Sequence, residues 1–120
     1  NKALNLINNN FKITTKHSAP SDNFVSYIKK NDFHIIMSLF SRMLNSNHWK
    51  DYSFTSEKNK IIFCFYKNSF ETPIYKIIYE KKHINHKLWL AFHQNTLVRT
   101  SDSLEKIIKW IESRYLKKVK

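Results

Sequence analysis

Not one of the 120 residues is glycine. Every turn that needs a positive φ must therefore be made by asparagine or another residue that tolerates the left-handed region. The same absence excludes, in their usual form, three glycine-dependent devices. These are the phosphate-cradling loop, the dinucleotide fingerprint and the strained nucleophile elbow. The chain is left with elements joined by asparagine-bearing turns, and with function classes that do not need a close backbone approach to a nucleotide.

The length suits one domain with a core of its own. Hydrophobic residues make up 42% of the chain and aromatic ones 15%, enough to bury a core and to argue against global disorder. Cys64 is the single cysteine, so no internal disulfide can form and a reducing, cytoplasmic setting is expected. No apolar run approaches the ~20 residues of a membrane span. The first residues lack the charged-then-apolar-then-small order of a secretory signal. No membrane association is expected.

Net charge is +12 at neutral pH. Such a charge attracts nucleic acid or an anionic membrane. It also follows from residue usage, because lysine, asparagine and isoleucine abound as in an A+T-rich genome. Of the 21 basic residues only Arg42, Arg99 and Arg114 are arginine, the usual side chain for bidentate phosphate contacts. The lysines are spread along the whole chain.

Residues 1–22 read as a flexible tail, low in sustained period although Leu4, Leu6, Ile7, Phe11 and Ile13 could dock as a short segment. Residues 23–120 read as one α+β domain. Asn23–Lys30 alternates weakly and predicts a strand, after which Asn31 or Asp32 caps a helix. Phe33, Ile36, Phe40, Met43 and Leu44 give that helix an apolar stripe. It stops near Asn45-Ser46-Asn47, where asparagine can take the left-handed cap. Trp49, Tyr52 and Phe54 lead to a turn at Ser56–Asn59. Ile61–Tyr66 is apolar on both faces and predicts an interior strand. Ile74–Glu80 and Leu88–Phe92 predict two more, and Thr96–Arg99 returns after a Gln94-Asn95 hairpin turn. Asp102 and Glu105 resemble a capping box for a closing helix striped by Leu104, Ile107, Ile108, Ile111 and Tyr115. The expected fold is an antiparallel β-meander of four to five strands packed with two amphipathic helices, in the order β-α-β-β-β-β-α.

Candidate chemistry is sparse. His83-Ile84-Asn85-His86 has a spacing found in some metal sites, but further ligands are lacking and a polar turn accounts for it. Cys64 lies between Phe63 and Phe65, an apolar setting that disfavours a reactive thiolate. The nine acids are scattered, with no pair suited to acid–base work. No catalytic residue, metal or cofactor is expected, and the chain reads as a non-enzyme.

The densest polar-aromatic stretch is Asn47–Tyr52. There Trp49 beside Lys50 could stack on a base or a partner ring, with Asp51 and Tyr52 adjoining. The favoured reading is structural: Trp49 and Tyr52 cover the end of the first helix while Asp51 accepts backbone bonds at the strand entry. Lys60, Lys67 and Lys76 would form a basic sheet surface with Tyr66 and Tyr75 if they shared a face. Arg42 and Arg99 complete the candidate binding surface.

Four segments carry a family resemblance: Phe40-Ser41-Arg42-Met43, Trp49-Lys50-Asp51-Tyr52, Ile62–Lys67 and Glu71-Thr72-Pro73-Ile74-Tyr75-Lys76-Ile77. In order and spacing over roughly residues 24–118, the chain resembles a family of small alphaproteobacterial proteins, domain of unknown function twenty-seven ninety-four. Thr96–Arg99 and Asp102-Ser103-Leu104 are similar to that family's closing steps. The family's arginines are lysine at Lys50 and Lys76, and its glycines are missing. The resemblance implies a cytoplasmic protein of alphaproteobacterial type and supplies no activity. Two binding functions stand side by side: nucleic acid through a lysine-rich surface, or a protein partner in a homo-oligomer or larger assembly. A ligand- or metal-dependent enzyme ranks behind both.

Overall fold

The computed structural model describes residues 28–68, 72–83 and 86–116. Helix α1 spans Lys30–Asn45 and turns Ile36, Met37, Leu39, Phe40 and Met43 inward at helical spacing. The predicted leading strand is corrected here. Lys30 is already helical, and Asn23–Tyr27 lie outside the described residues. The N-cap position falls on Lys29, which makes no side-chain cap bond. Asn31 and Asp32 sit within the first turn instead, where Asp32 still complements the helix dipole.

Asparagine ends the helix as the missing glycine requires. Asn47 takes φ 65°. Its N–H donates to the Leu44 carbonyl at 3.0 Å, and that of His48 reaches back to Met43 at 2.9 Å. This pair of bonds is the Schellman closure, with asparagine at the left-handed position. Its consequence is positional: the chain leaves α1 at a fixed angle, with His48 and Trp49 held against the helix end.

Five antiparallel strands follow: β1 (Asp51–Glu57), β2 (Lys60–Tyr66), β3 (Tyr75–His83), β4 (His86–His93) and β5 (Thr96–Ser101). They lie in sequence order across one sheet, as a meander. The β1–β2 turn carries Asn59 at φ 67°, and the β4–β5 turn carries Gln94 at 50° and Asn95 at 69°. Two positive-φ residues in a two-residue loop match the twist of the strands they join. A bulge in the pairing falls at Ala91–Phe92 against β5. Helix α2 spans Leu104–Leu116. Its cap is Ser103, whose Oγ accepts the Lys106 N–H at 3.4 Å. The expected Asp102–Glu105 box is displaced by one residue, because Ser103 itself is held by the Ser101 hydroxyl at 2.9 Å.

Both helices pack on the same face of the sheet. Register places Phe54, Phe63, Ile77 and Ala91 in one row across four strands, all 0–1% exposed. Phe40 meets Tyr52 at 4.9 Å and Phe65 at 6.2 Å, so α1 lies over β1 and β2. Ile107 and Ile111 of α2 complete the same cluster. Each large apolar side chain sealed there contributes roughly 1.5–3 kcal/mol relative to exposure. Arg42 ties the helices together from outside, its Nε and Nη2 donating to the Glu112 carboxylate at 2.7 and 3.1 Å.

The other face of the sheet carries the alternate residues. Ile62, Ile78 and Leu90 are register partners there. None of the three belongs to the helix-side cluster. The run Ile61–Tyr66 is apolar on both faces, as its sequence predicted, and among the described residues helices α1 and α2 pack on one of them.

Candidate functional site

A cleft of about 600 Å³ opens at the end of the sheet where β2 and β4 finish and β3 begins, roofed by the C-terminal half of α2. Backbone bonds fix its rim. Ile74 N–H donates to Phe65 at 2.8 Å, Gln94 N–H to Ile74 at 3.0 Å, and Lys50 N–H to Tyr66 at 2.7 Å. Asn47 and His48 enter from the Schellman turn, Lys67 and Ile74 from the β2–β3 connection. Tyr75, His93 and Val98 rise from the sheet, while Trp110, Arg114 and Tyr115 descend from α2.

The wall is aromatic. Tyr115 lies 4.5 Å from the His48 ring and 6.0 Å from Tyr75, and Tyr75 lies 4.6 Å from His93. Tyr115 is anchored from behind, where the buried Trp49 indole N–H donates to its hydroxyl at 2.8 Å. Burial pushes the Tyr115 phenol up to about 12, against the opposing effect of that indole bond. Burial also raises Tyr75, with the Arg114 guanidinium beside it pulling the other way. Both phenols therefore stay neutral at physiological pH.

The fixed charges among the described residues of the cleft are positive. Arg114 stacks over Trp110 at 5.2 Å, one helical turn away, and Lys67 lines the same cleft. Among the described residues no carboxylate lines the cleft. A cavity of this volume is in the range of small-ligand sites. Aromatic faces beside a guanidinium and an ammonium suit a ligand that is itself flat at one end and anionic at the other.

Of the candidate surface residues, the structure brings only Lys67 and Tyr75 into this cleft. Trp49 and Tyr52 are 0% and 2% exposed and belong to the core, so neither can stack on a ligand. Asp51 accepts the Tyr52 N–H at 2.8 Å, the local role its position suggested. Lys50 is exposed at the approach to β1, Arg42 is engaged by Glu112, and Arg99 is exposed on the edge strand β5. The expected basic sheet surface divides. Lys60, Lys76 and Tyr66 alternate onto the face away from α1 and α2, while Tyr75 points the other way because its register is odd. Lys60 also pairs across strands with Glu80. Cys64 shares the face away from α1 and α2, not the helix-side core, and burial raises its thiol against the pull of Lys76. Sequence reasoning missed the contribution of α2. The one available signal was Trp110 and Arg114, an aromatic and an arginine four residues apart on one helical face.

The architecture and cleft define a class: a small α+β domain with a helix-covered meander and a basic aromatic cleft at one sheet end. Residues 26–108 match the sequence profile described as protein of unknown function (DUF2794), and the chain belongs to that family. No curated protein and no solved structure matches it. Among the described residues no helix is long and apolar enough to cross a membrane. Nor do three or more histidine, cysteine, aspartate or glutamate side chains converge among them as metal ligands.

Proposed function

We propose that this protein binds single-stranded nucleic acid without catalysis, seating a base and its phosphate in the cleft between α2 and the sheet end. One observation carries the reading: the cleft collects Lys67, Arg114, two histidines and three further aromatic rings, with no lining carboxylate among the described residues. The neutral phenols do not repel a phosphate. An unpaired base can be splayed against the Trp110 and Tyr75 side of such a site, whereas a stacked duplex base cannot enter. The lysine-rich exterior of a chain with net charge +12 supplies the long-range attraction.

Fluorescence anisotropy of a labelled single-stranded oligonucleotide against salt tests it. Log affinity should fall with log salt with a slope of about −0.7 per phosphate engaged, and duplex of equal length should bind more weakly. Lys67→Glu and Arg114→Glu should each weaken binding by about tenfold, equivalent to about 1.4 kcal/mol. Lys60→Glu, on the opposite face of the sheet, should change it far less. Equal losses from all three charge reversals would mean that diffuse charge and not the cleft is responsible. No binding at low salt would reject the reading altogether.

A further inference from the structure

We propose that the cleft is the mouth of a longer track, and that its ligand is an oligonucleotide strand of about four units that leaves the cleft along the seam between α2 and β5, over Arg99 and Lys106. This rests on the nucleic-acid reading of the cleft and extends it from one nucleotide to an oligomer. The bulge in β5 makes the seam basic. Successive residues of a regular strand point to opposite faces. Here Val98 lines the cleft on the helix side. Arg99 lies on that side too, because it pairs with Ala91, which is fully buried in the helix-side core. The register shift at Ala91–Phe92 is what turns two consecutive residues to one face. Val98 is half-buried, whereas Arg99 is exposed. The guanidinium therefore stands at the sheet edge, one residue from the cleft wall, on the side where α2 lies.

Helix α2 sorts its charges by flank. Glu105 and Glu112 are two turns apart and share one flank. Glu112 accepts from Arg42, so that flank faces α1. Lys106, Trp110 and Arg114 follow one another at four-residue spacing on the other flank. Trp110 and Arg114 line the cleft together with Val98, so this flank faces β5. Lys106 and Arg114 are both exposed. From Arg114 back to Lys106 is about 12 Å along the helix axis. Arg99 lies about 7 Å back along β5 from Ser101, which sets it level with the stretch between Lys106 and Trp110.

Charge and spacing select the occupant. Lys67, Arg114, Trp110, Arg99 and Lys106 form a line of cations with one aromatic ring set among them. A phosphodiester strand offers the complement, with one negative charge at each step and a flat base beside it. The 12 Å of α2 spans about three to four steps of a stacked strand, each about 3.4 Å. Exposed Asp102 and Glu105 stand at the β5–α2 connection and bound the line at that end. A duplex does not fit this path, because the base seated in the cleft must be unpaired.

Competition anisotropy with the full chain, a labelled octanucleotide and unlabelled strands of graded length tests the track. Affinity should climb with each added nucleotide up to about four and then level off. Arg99→Glu and Lys106→Glu change exposed side chains and should leave the fold intact by circular dichroism. Each should weaken the octanucleotide about tenfold and lower its salt slope by about 0.7, the loss of one phosphate contact. Each should leave a nucleoside monophosphate, titrated by NMR chemical shift, within about twofold of the parent, because that ligand occupies the cleft alone. Arg114→Glu should weaken both ligands. Lys58→Glu makes the same change of charge on the exposed β1–β2 turn at the opposite end of the sheet, and should weaken the octanucleotide less than about twofold. Losses from Lys67→Glu and Arg114→Glu with none from Arg99→Glu or Lys106→Glu would overturn the track and leave the cleft reading standing. So would a monophosphate that binds as tightly as the octanucleotide. A hexaglutamate peptide that displaces the octanucleotide as well as an unlabelled strand does would show that the seam reads bare negative charge, and would overturn the track. No binding of any strand at low salt overturns both.

Discussion

The bond between Trp49 and Tyr115 joins the end of α1 to the last turn of α2, 66 residues on, and it permits a double-mutant test. Trp49 is wholly buried, with its ring 4.5 Å from Phe65, while Tyr115 is partly exposed in the cleft. The two partners are therefore unequal. Tyr115→Phe leaves the indole N–H inside the protein without an acceptor, which costs about 1–3 kcal/mol. Trp49→Phe removes that donor and shrinks the ring. The released tyrosine hydroxyl can turn to water in the cleft, so the loss is chiefly the cavity, about 2 kcal/mol. In the double variant no donor is orphaned. Its destabilisation should fall short of the summed singles by about 1–2 kcal/mol. Urea denaturation followed by far-UV circular dichroism measures all four corners of the cycle. Additivity within about 0.5 kcal/mol would refute the reasoning and mean that the two rings are merely packed neighbours.

Alkaline pH offers a second test. The Tyr115 phenol lies at about 12 in the folded protein against an ordinary 10.0, so the folded state holds its proton more tightly than the unfolded chain does. Its contribution is complete below about pH 10 and is lost as pH rises through 12, amounting to about 1 kcal/mol after solvent screening of a partly exposed ring. Urea midpoints across that range should decline, and Tyr115→Phe should flatten part of the decline; Tyr66, Tyr75 and Tyr79 shift in the same direction and account for the rest. Asn95→Gly should stabilise the β4–β5 hairpin by a few tenths of a kcal/mol, whereas Asn47→Ala should destabilise by about 1 kcal/mol because alanine resists positive φ. Ser103→Ala should cost about 0.5–1 kcal/mol through loss of the α2 cap, while Asp102→Ala stays within about 0.5 kcal/mol. Thermal melts that rank Asp102→Ala as the more damaging of that pair would return the cap to the aspartate.

Much of the fold was legible in the sequence because its signals are local. The stripe from Phe33 to Leu44, the alternation of Ile74–Glu80 and the Gln94-Asn95 turn each depend on residues a few positions apart. The errors were also local competitions. Lys30 joins α1 because an apolar stripe downstream and Asp32 within the first turn outweigh the capping preference of Asn31. Ser103 caps α2 because Ser101 holds its backbone in place. The candidate surface fared differently. Trp49 and Tyr52 carry the right chemistry for stacking, but whether a large aromatic ring faces ligand or core depends on what packs over it, and α1 packs over these two.

Glycine's absence, the stripes and the alternation determined by themselves that the chain would form a helix-flanked meander with asparagine at its sharp turns. Those features act through φ/ψ limits and nearest-neighbour periodicity, which sequence records directly. Only the tertiary structure decided that His48, Lys67, His93 and Arg114 would share one cleft, since they come from four separate elements and connections. It likewise decided that α1 and α2 would lie on one side of the sheet, with Ile62, Ile78 and Leu90 on the other. Long-range packing sets these juxtapositions, and no spacing along the chain encodes which face of a sheet a helix will choose.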